Sequence, residues 1–258
     1  MTEKTLSANY GEYYEKGAAF PQQLDQEELD QFLSLLPPGR LDVLDLGCAE
    51  GRLAVGLARA GHSVSVGDIS KSQLRHAQEA AAGAGLRLAA AYECNIEETV
   101  LPFGDMRFDV IFFMDVVEHL KNPVIGLEHI RSLLKDDGTL ILHTPNASTP
   151  HRFFWHLVRR GPVMDYNDPD KLQDFHFQTY DYLTLEKTLN FIGMKIREVV
   201  PTKVTLPRLF SSRLLARAFP LISDTLLVKC AKVAPIDLDG HLAHWLRTRP
   251  VHPERPGP

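Results

Sequence analysis

The segment Val43-Leu44-Asp45-Leu46-Gly47-Cys48-Ala49-Glu50-Gly51-Arg52 constrains the fold more than any other stretch. A short apolar run ends in a carboxylate, passes through a turn of small residues and enters a helical pattern at Leu53–Ala60. Apolar runs of this length bounded by turn residues read as buried strands, and Gly51 can take backbone angles closed to other residues. The pattern then repeats. Ser63–Val66 reads as a second strand, Lys71 to about Ala82 as a helix capped by Ser70, and Leu86–Tyr92 as a third strand. Phe108–Phe113 is apolar except at Asp109, as a strand covered on both faces should be. Asn122 is placed to cap a helix that starts at Pro123 and runs to about Leu134. Asp136-Asp137-Gly138 then turns into a fifth strand at Thr139–His143. Strand and helix alternating at this pace predict a Rossmann-like, doubly wound, mostly parallel sheet in three α/β/α layers.

The flanks are less regular. Residues 24–36 place Leu29, Phe32, Leu33 and Leu36 on one helical stripe that Pro37-Pro38 ends. A helix over Asp181–Phe191 and strands at Lys195–Val200 and near Thr225–Ala231 follow the fifth strand. The domain boundaries expected are an N-terminal helical cap at 1–40, a main domain at 41–233 and a C-terminal tail at 234–258. Residues 147–180 would be an insertion after the fifth strand. Its aromatics, among them Phe153, Phe154, Trp155, Tyr166, Phe175, Phe177 and Tyr180, with Tyr182 just beyond, suit a lid over an apolar or planar ligand, or packing of the insertion against the sheet. Residues 206–222 carry Arg213 and Arg217 beside a stripe of Phe210, Leu214, Ala218 and Leu221. That basic amphipathic helix pattern would either touch an anionic membrane transiently or pack at the sheet edge.

Composition removes several classes. The net charge of −5 gives no basic track for nucleic acid. The start has no basic segment followed by an apolar run, and no stretch approaches the roughly 20 apolar residues that span a bilayer. Cys48, Cys94 and Cys230 match no zinc spacing. A cytoplasmic protein, monomer or homodimer, is expected.

A second acid, Asp68, falls 23 residues after Asp45 at the tip of the second strand, where a carboxylate can grip ribose hydroxyls. With this acid and the Gly47–Gly51 turn, the chain resembles the class I methyltransferases that use S-adenosylmethionine (SAM), in particular the small-molecule and quinone O-methyltransferases. The resemblance continues through Asp68-Ile69-Ser70, Leu101-Pro102-Phe103, Phe108-Asp109-Val110-Ile111, Val116-Val117-Glu118-His119-Leu120 and Thr144-Pro145-Asn146. It implies a seven-stranded sheet with the last strand antiparallel. It also implies a cofactor site in which Asp45 and Gly47, with Cys48, Ala49 and Gly51 of the same turn, meet the methionine end of SAM. Asp68 would hold the ribose, Ile69 would pack on the adenine, Asn95 and Ile96 would flank it, and Asp115 would lie beside the cofactor. Two positions depart from the family pattern: Ala49 stands for a glycine and Asn95 for an aspartate. A dinucleotide fingerprint fits poorly, because Ala49 and Arg52 occupy its second and third glycine positions.

Catalysis would draw on Asp115, Glu118 and His119, which share one face if a helical turn follows the fourth strand. His119 is the leading general base, Glu118 its neighbour, and His143 at the end of the fifth strand a further base. Glu118-His119 also resembles a pair in small-RNA 2′-O-methyltransferases, which implies a divalent metal on Asp115, Glu118, His119 and His176, a set not favoured over simple wall-building. The function expected is methyl transfer to a small-molecule acceptor, at a hydroxyl oxygen. Metal-assisted RNA methylation and SAM binding without catalysis stand as alternatives.

Overall fold

The computed structural model describes residues 24–150, 152, 176–206 and 210–233. Most of the expected aromatic insertion, the C-terminal tail and the first part of the N-terminal cap lie outside these residues. Helix α1 (Gln26–Ser34) leads into β1 (Asp42–Leu46), α2 (Arg52–Arg59), β2 (Ser63–Asp68), α3 (Lys71–Gly83), β3 (Ala90–Glu93) and β4 (Phe108–Met114). A 3-10 turn at Val117–His119 is followed by α4 (Pro123–Leu133), β5 (Leu134–Pro145), α5 (Tyr182–Phe191) and β6 (Met194–Val200). A small hairpin, β7 (Val204–Leu206) and β8 (Phe210–Ser212), precedes α6 (Arg213–Ala218), a 3-10 turn at Pro220–Ile222 and β9 (Thr225–Lys232). Among the described residues no helix is long and apolar enough to cross a membrane.

Seven strands form one sheet in the order β3-β2-β1-β4-β5-β9-β6. β9 runs antiparallel to both neighbours, and the pairs among the first five strands are parallel. The expected seven-stranded, doubly wound architecture is therefore present. Its order reverses between β1 and β4, and a crevice at the carboxyl ends of strands flanking such a reversal is where open α/β sheets bind ligands. Both faces are covered. Leu44, Leu46, Ile111 and Phe113 point into one core, Val43, Val66, Val110 and Phe112 into the other, all buried. Burying side chains of this size is worth about 1.5–3 kcal/mol each. Asp42 and Asp109, the charged exceptions in otherwise apolar strands, sit at the opposite end of the sheet. There Lys135 Nζ donates to Asp109 at 2.8 Å and to Asp42 at 3.2 Å.

Helix α1 docks on the second core with Leu29, Phe32, Leu33 and Leu36 partly buried, as its stripe predicted. The Phe32 ring meets Phe112 edge-on at 6.2 Å, and Gln31 Nε2 donates to Pro201 O across the fold. Several expectations need correction. The third strand is only Ala90–Glu93, because Leu86 N–H turns back to Ala81 O as α3 ends. Asn122 makes no side-chain cap on α4; its backbone N–H donates to the Glu97 carboxylate. The Asp136-Asp137-Gly138 turn lies within β5 as an irregularity, the register jumping from Phe108↔Leu134 to Val110↔Thr139. Of the two readings of the aromatics, packing holds for Tyr180, which is part of the first core, and for Tyr182, which packs against it. Residues 206–222 are no continuous amphipathic helix: a hairpin strand, a six-residue helix and a 3-10 turn divide them.

Candidate functional site

At the switch point β1 delivers Asp45 and then breaks into a turn that sharp backbone geometry makes. Gly47 and Gly51 have φ of 77° and 74°, and Ala49 reaches 46° in the same left-handed region. A Cβ on Gly47 would meet Val116 Cγ2 at 2.3 Å, and one on Gly51 would meet Ala77 Cβ at 2.6 Å. Gly47 and Cys48 N–H both donate to Gly67 O, fastening the turn to β2. Asp68, at the end of β2, accepts from Ala49 N–H at 3.0 Å and from Ser70 N–H at 2.8 Å. Its carboxylate therefore shapes the loop it faces as well as lining it.

A cavity of about 640 Å³ opens here. It is lined by Asp45, Gly47, Cys48, Ala49, Asp68, Ile69, Asn95, Ile96 and Asp115, so every cofactor residue expected from sequence except Gly51 reaches it. Gly51 acts behind the wall, letting α2 and α3 approach. Asn95 does so with its Oδ1 already accepting from Glu97 N–H at 3.1 Å, a local turn bond that sequence reading did not foresee. The lining also includes Leu24 just before α1, Glu28 and Phe32 of α1, and Arg52, Met114, Lys121 and Ile125. The contribution of α1 was missed. Its stripe signalled burial, but nothing in the sequence said which crevice it would roof.

Carboxylates dominate the walls. Among the described residues, Glu28, Asp45, Glu50, Asp68, Glu97 and Asp115 face only Arg52 and Lys121 as side chains of fixed positive charge. Asp45 is buried, and its Oδ2 has no hydrogen-bond partner among the described residues. Burial, helped by the nearby Asp68 charge, pushes its pKa up to about 7. Such a carboxyl is costly to ionise until a cation arrives. Burial raises Asp68 too, against the backbone donors of Ser70 and Ala49.

The expected trio at 115, 118 and 119 does not share one face. Asp115 has φ 54°, and a 3-10 turn rather than an α-helix follows, so Asp115 stands apart from the neighbouring Glu118 and His119. Asp115 Oδ1 pairs with His143 Nδ1 at 2.9 Å at the cavity wall. Burial opposes charge on His143, but the adjoining Asp115 carboxylate outweighs it and holds the imidazole above the usual histidine range. A carboxylate only accepts, so Nδ1 carries the proton and Nε2 is left basic. Glu118 points inward behind the wall and does not line the cavity. Its Oε2 accepts from Thr144 Oγ1 at 2.9 Å, and burial, then Asp115, pushes its pKa up to about 7. His119 does line the cavity, with its ring edge-on to His176 at 4.6 Å. Ligand atoms of Glu118, His119 and His176 all lie within 4.8 Å of one another. Asp115 is outside this cluster, so the four-residue metal set expected from sequence reduces to three.

Comparison with known proteins gives a consistent result. A family model described as a methyltransferase domain matches residues 20–199. A ubiquinone biosynthesis O-methyltransferase of Cereibacter sphaeroides is 38% identical over 138 residues, 53% of this chain and 54% of that protein. The chain thus spans about half the length of the curated relatives it matches. Among solved structures, the CcbJ methyltransferase of Streptomyces caelestis superposes with a TM-score of 0.58 at 18% identity, covering 81% of this chain and 89% of that one. The magnesium protoporphyrin IX methyltransferase of Synechocystis PCC 6803, solved with SAH bound, gives 0.54 at 18% identity, covering 80% and 83%. At these identities the structural likeness speaks for the fold.

Proposed function

Since the chain belongs to the class I SAM-dependent methyltransferase family, we propose that it moves the methyl group of SAM to a hydroxyl oxygen of a small acceptor, an apolar aromatic ring being the best fit. The observation that carries the oxygen assignment is the Asp115–His143 pair at the wall of the cavity that Asp45 and Asp68 also line. The residues present suit SAM: Asp45 Oδ2 is a buried acceptor without a partner among the described residues, in an acidic cavity that favours a cationic ligand. Asp45 would pair with the ammonium of the methionine end, and Asp68 would accept from the ribose. Bound there, SAM supplies an electrophilic methyl on a sulfonium. Holding the acceptor in line with that methyl and excluding water provides much of the acceleration. His143 Nε2 takes the hydroxyl proton as the new O–C bond forms and the C–S bond breaks, and Asp115 stabilises the resulting imidazolium. Leu24, Phe32, Met114 and Ile125 give the cavity its apolar side, and the named ubiquinone-pathway relative makes a ring hydroxyl of a quinone precursor the acceptor to try first.

The acidic lining offers no footing for a polyanion, so RNA methylation has no support here. A second feature bears on the same acceptor. Glu118, His119 and His176 offer one carboxylate and two imidazoles, a donor set suited to a divalent ion, and Glu118 Oε1 is buried without a partner among the described residues. These three would hold the ion, and it would supply positive charge that polarises a hydroxyl. The test is methyl transfer from isotopically labelled SAM to a panel of catechol-type rings, their monomethylated analogues and matching anilines, with and without chelator. Transfer to ring oxygen is expected, and a chelator-sensitive rate would support the ion. Transfer to nitrogen alone, or to no acceptor despite SAM binding, would overturn the proposal.

A further inference from the structure

The segment that replaces the expected amphipathic helix has a surface of its own. Leu214, Phe219 and Leu221 are 77%, 59% and 47% exposed, which apolar side chains of this size rarely are in a cluster. Arg213 and Arg217 lie on the same short helix as Leu214, and Lys203 stands exposed just before the hairpin. From Pro201 to Ser223 the chain has four basic residues, Lys203, Arg208, Arg213 and Arg217, and no acidic one, in a protein of net charge −5. A cationic apolar spot on an anionic molecule orients it: this end is drawn to a negative surface while the rest is repelled.

Its position matters as much as its chemistry. Asn146 Nδ2 donates to the carbonyls of Leu221 and Ser223, fixing the 3-10 turn to the end of β5, three residues beyond His143. Arg213 pairs with Glu27, which adjoins the cavity residue Glu28 on α1. The spot is thus tied both to the strand that carries the base and to the helix that roofs the site.

We propose that Leu214, Phe219 and Leu221, with Arg213, Arg217 and Lys203, form a docking surface for an anionic lipid bilayer, placed so that a membrane-dissolved acceptor can pass from the bilayer toward the cavity. The inference about acceptor delivery rests on the proposed function, whereas the docking does not. A second copy of the chain is a poorer occupant. Three partly exposed side chains offer an apolar area on the order of a few hundred Å², well below the roughly 800 Å² per partner of a stable protein interface. Insertion of a few apolar side chains with cations above them is, by contrast, enough for reversible interfacial binding.

The experiment is co-sedimentation of the full chain with vesicles of phosphatidylcholine alone and of phosphatidylcholine with phosphatidylglycerol, at low and high salt. The wild type should partition onto the anionic vesicles and hardly onto the neutral ones, and salt should weaken the binding. Arg217→Glu should lower the partition by about tenfold, and Leu214→Glu with Phe219→Glu by at least about as much. All variants should keep wild-type melting behaviour and SAM binding. Equal binding by wild type and variants, or none by the wild type, overturns the proposal, as does a dimer in sedimentation that Leu214→Glu dissolves. Because vesicle binding involves no methyl transfer, failure of the enzymatic reading would leave this result standing.

Discussion

If Asp45 receives the ammonium of SAM, cofactor affinity must depend on pH in a way fixed by its burial. In the free protein burial and the neighbouring Asp68 hold its carboxyl at about 7, far above the roughly 3.9 of a solvated aspartate. The ammonium is charged throughout this range, so the strong pair needs the ionised carboxylate, and binding releases a proton wherever Asp45 begins protonated. A carboxyl with this pKa is about half ionised at pH 7 and only about 3% ionised at pH 5.5, so the dissociation constant should rise roughly 16-fold over that interval. The sign is opposite for folding without ligand: a raised carboxyl pKa means the folded state binds the extra proton, so this group's share of stability falls as pH climbs from about 4 through 7. Isothermal titration with S-adenosylhomocysteine, which keeps the ammonium and lacks the sulfonium, isolates the pair. Repeating it in buffers of different ionisation enthalpy counts the released proton. Asp45→Asn should weaken binding and flatten the pH dependence. Glu118, also held at about 7 but outside the cavity wall, serves as the control, since Glu118→Gln should leave the slope in place. Affinity that is flat between pH 5.5 and 7.5 in the wild type, or a slope that survives Asp45→Asn, refutes the reasoning.

Other consequences are as direct. His143→Gln should lower kcat by about 10²–10³ without changing SAM affinity, read by steady-state kinetics and calorimetry together. Since the base works in its neutral form and Asp115 holds its pKa above the usual range, wild-type kcat should rise with pH through neutrality, and Asp115→Asn should shift that rise to lower pH. Gly51→Ala forces a side chain into a left-handed conformation and against both Cβ and Cα of Ala77. The cost should be about 3 kcal/mol, visible as a Tm lower by roughly 6–12 °C.

What the sequence disclosed, and what it withheld, follows from the range of the forces involved. The β1 turn was legible because its requirements are local: a left-handed Gly51, a small neighbour and a carboxylate at a strand end each leave a mark at one position. The mostly parallel, doubly wound sheet was legible because strand and helix patterns alternate and crossover handedness restricts the topology, whereas the antiparallel strand was expected only from the family resemblance. The Asp115–His143 pair was not, since 28 residues separate its members and only the pairing of Met114 with His143 in the β4–β5 register brings them together. The same holds for α1, whose stripe announced burial while its destination depended on Phe112 and Pro201, far along the chain.

Residues 206–222 misled for a related reason. Helical periodicity there was genuine, but Ser212 caps a new helix at Leu215 and Pro220 ends it, so two local signals divided one amphipathic pattern into pieces. Ala49 makes the complementary point. Standing where the family pattern has a glycine, it sits at φ 46°, where a side chain costs about 1 kcal/mol or more. Asp68 accepts its N–H and thereby offsets some of that cost. The carboxylate expected to hold ribose thus also holds the turn, and a variant of Asp68 would disturb the loop and the ligand contact together. Asp45 leans on the frame less: the backbone N–H of Ala54 favours its ionised form, but its Oδ2 has no partner among the described residues, so cofactor recognition is read there with less disturbance of the loop.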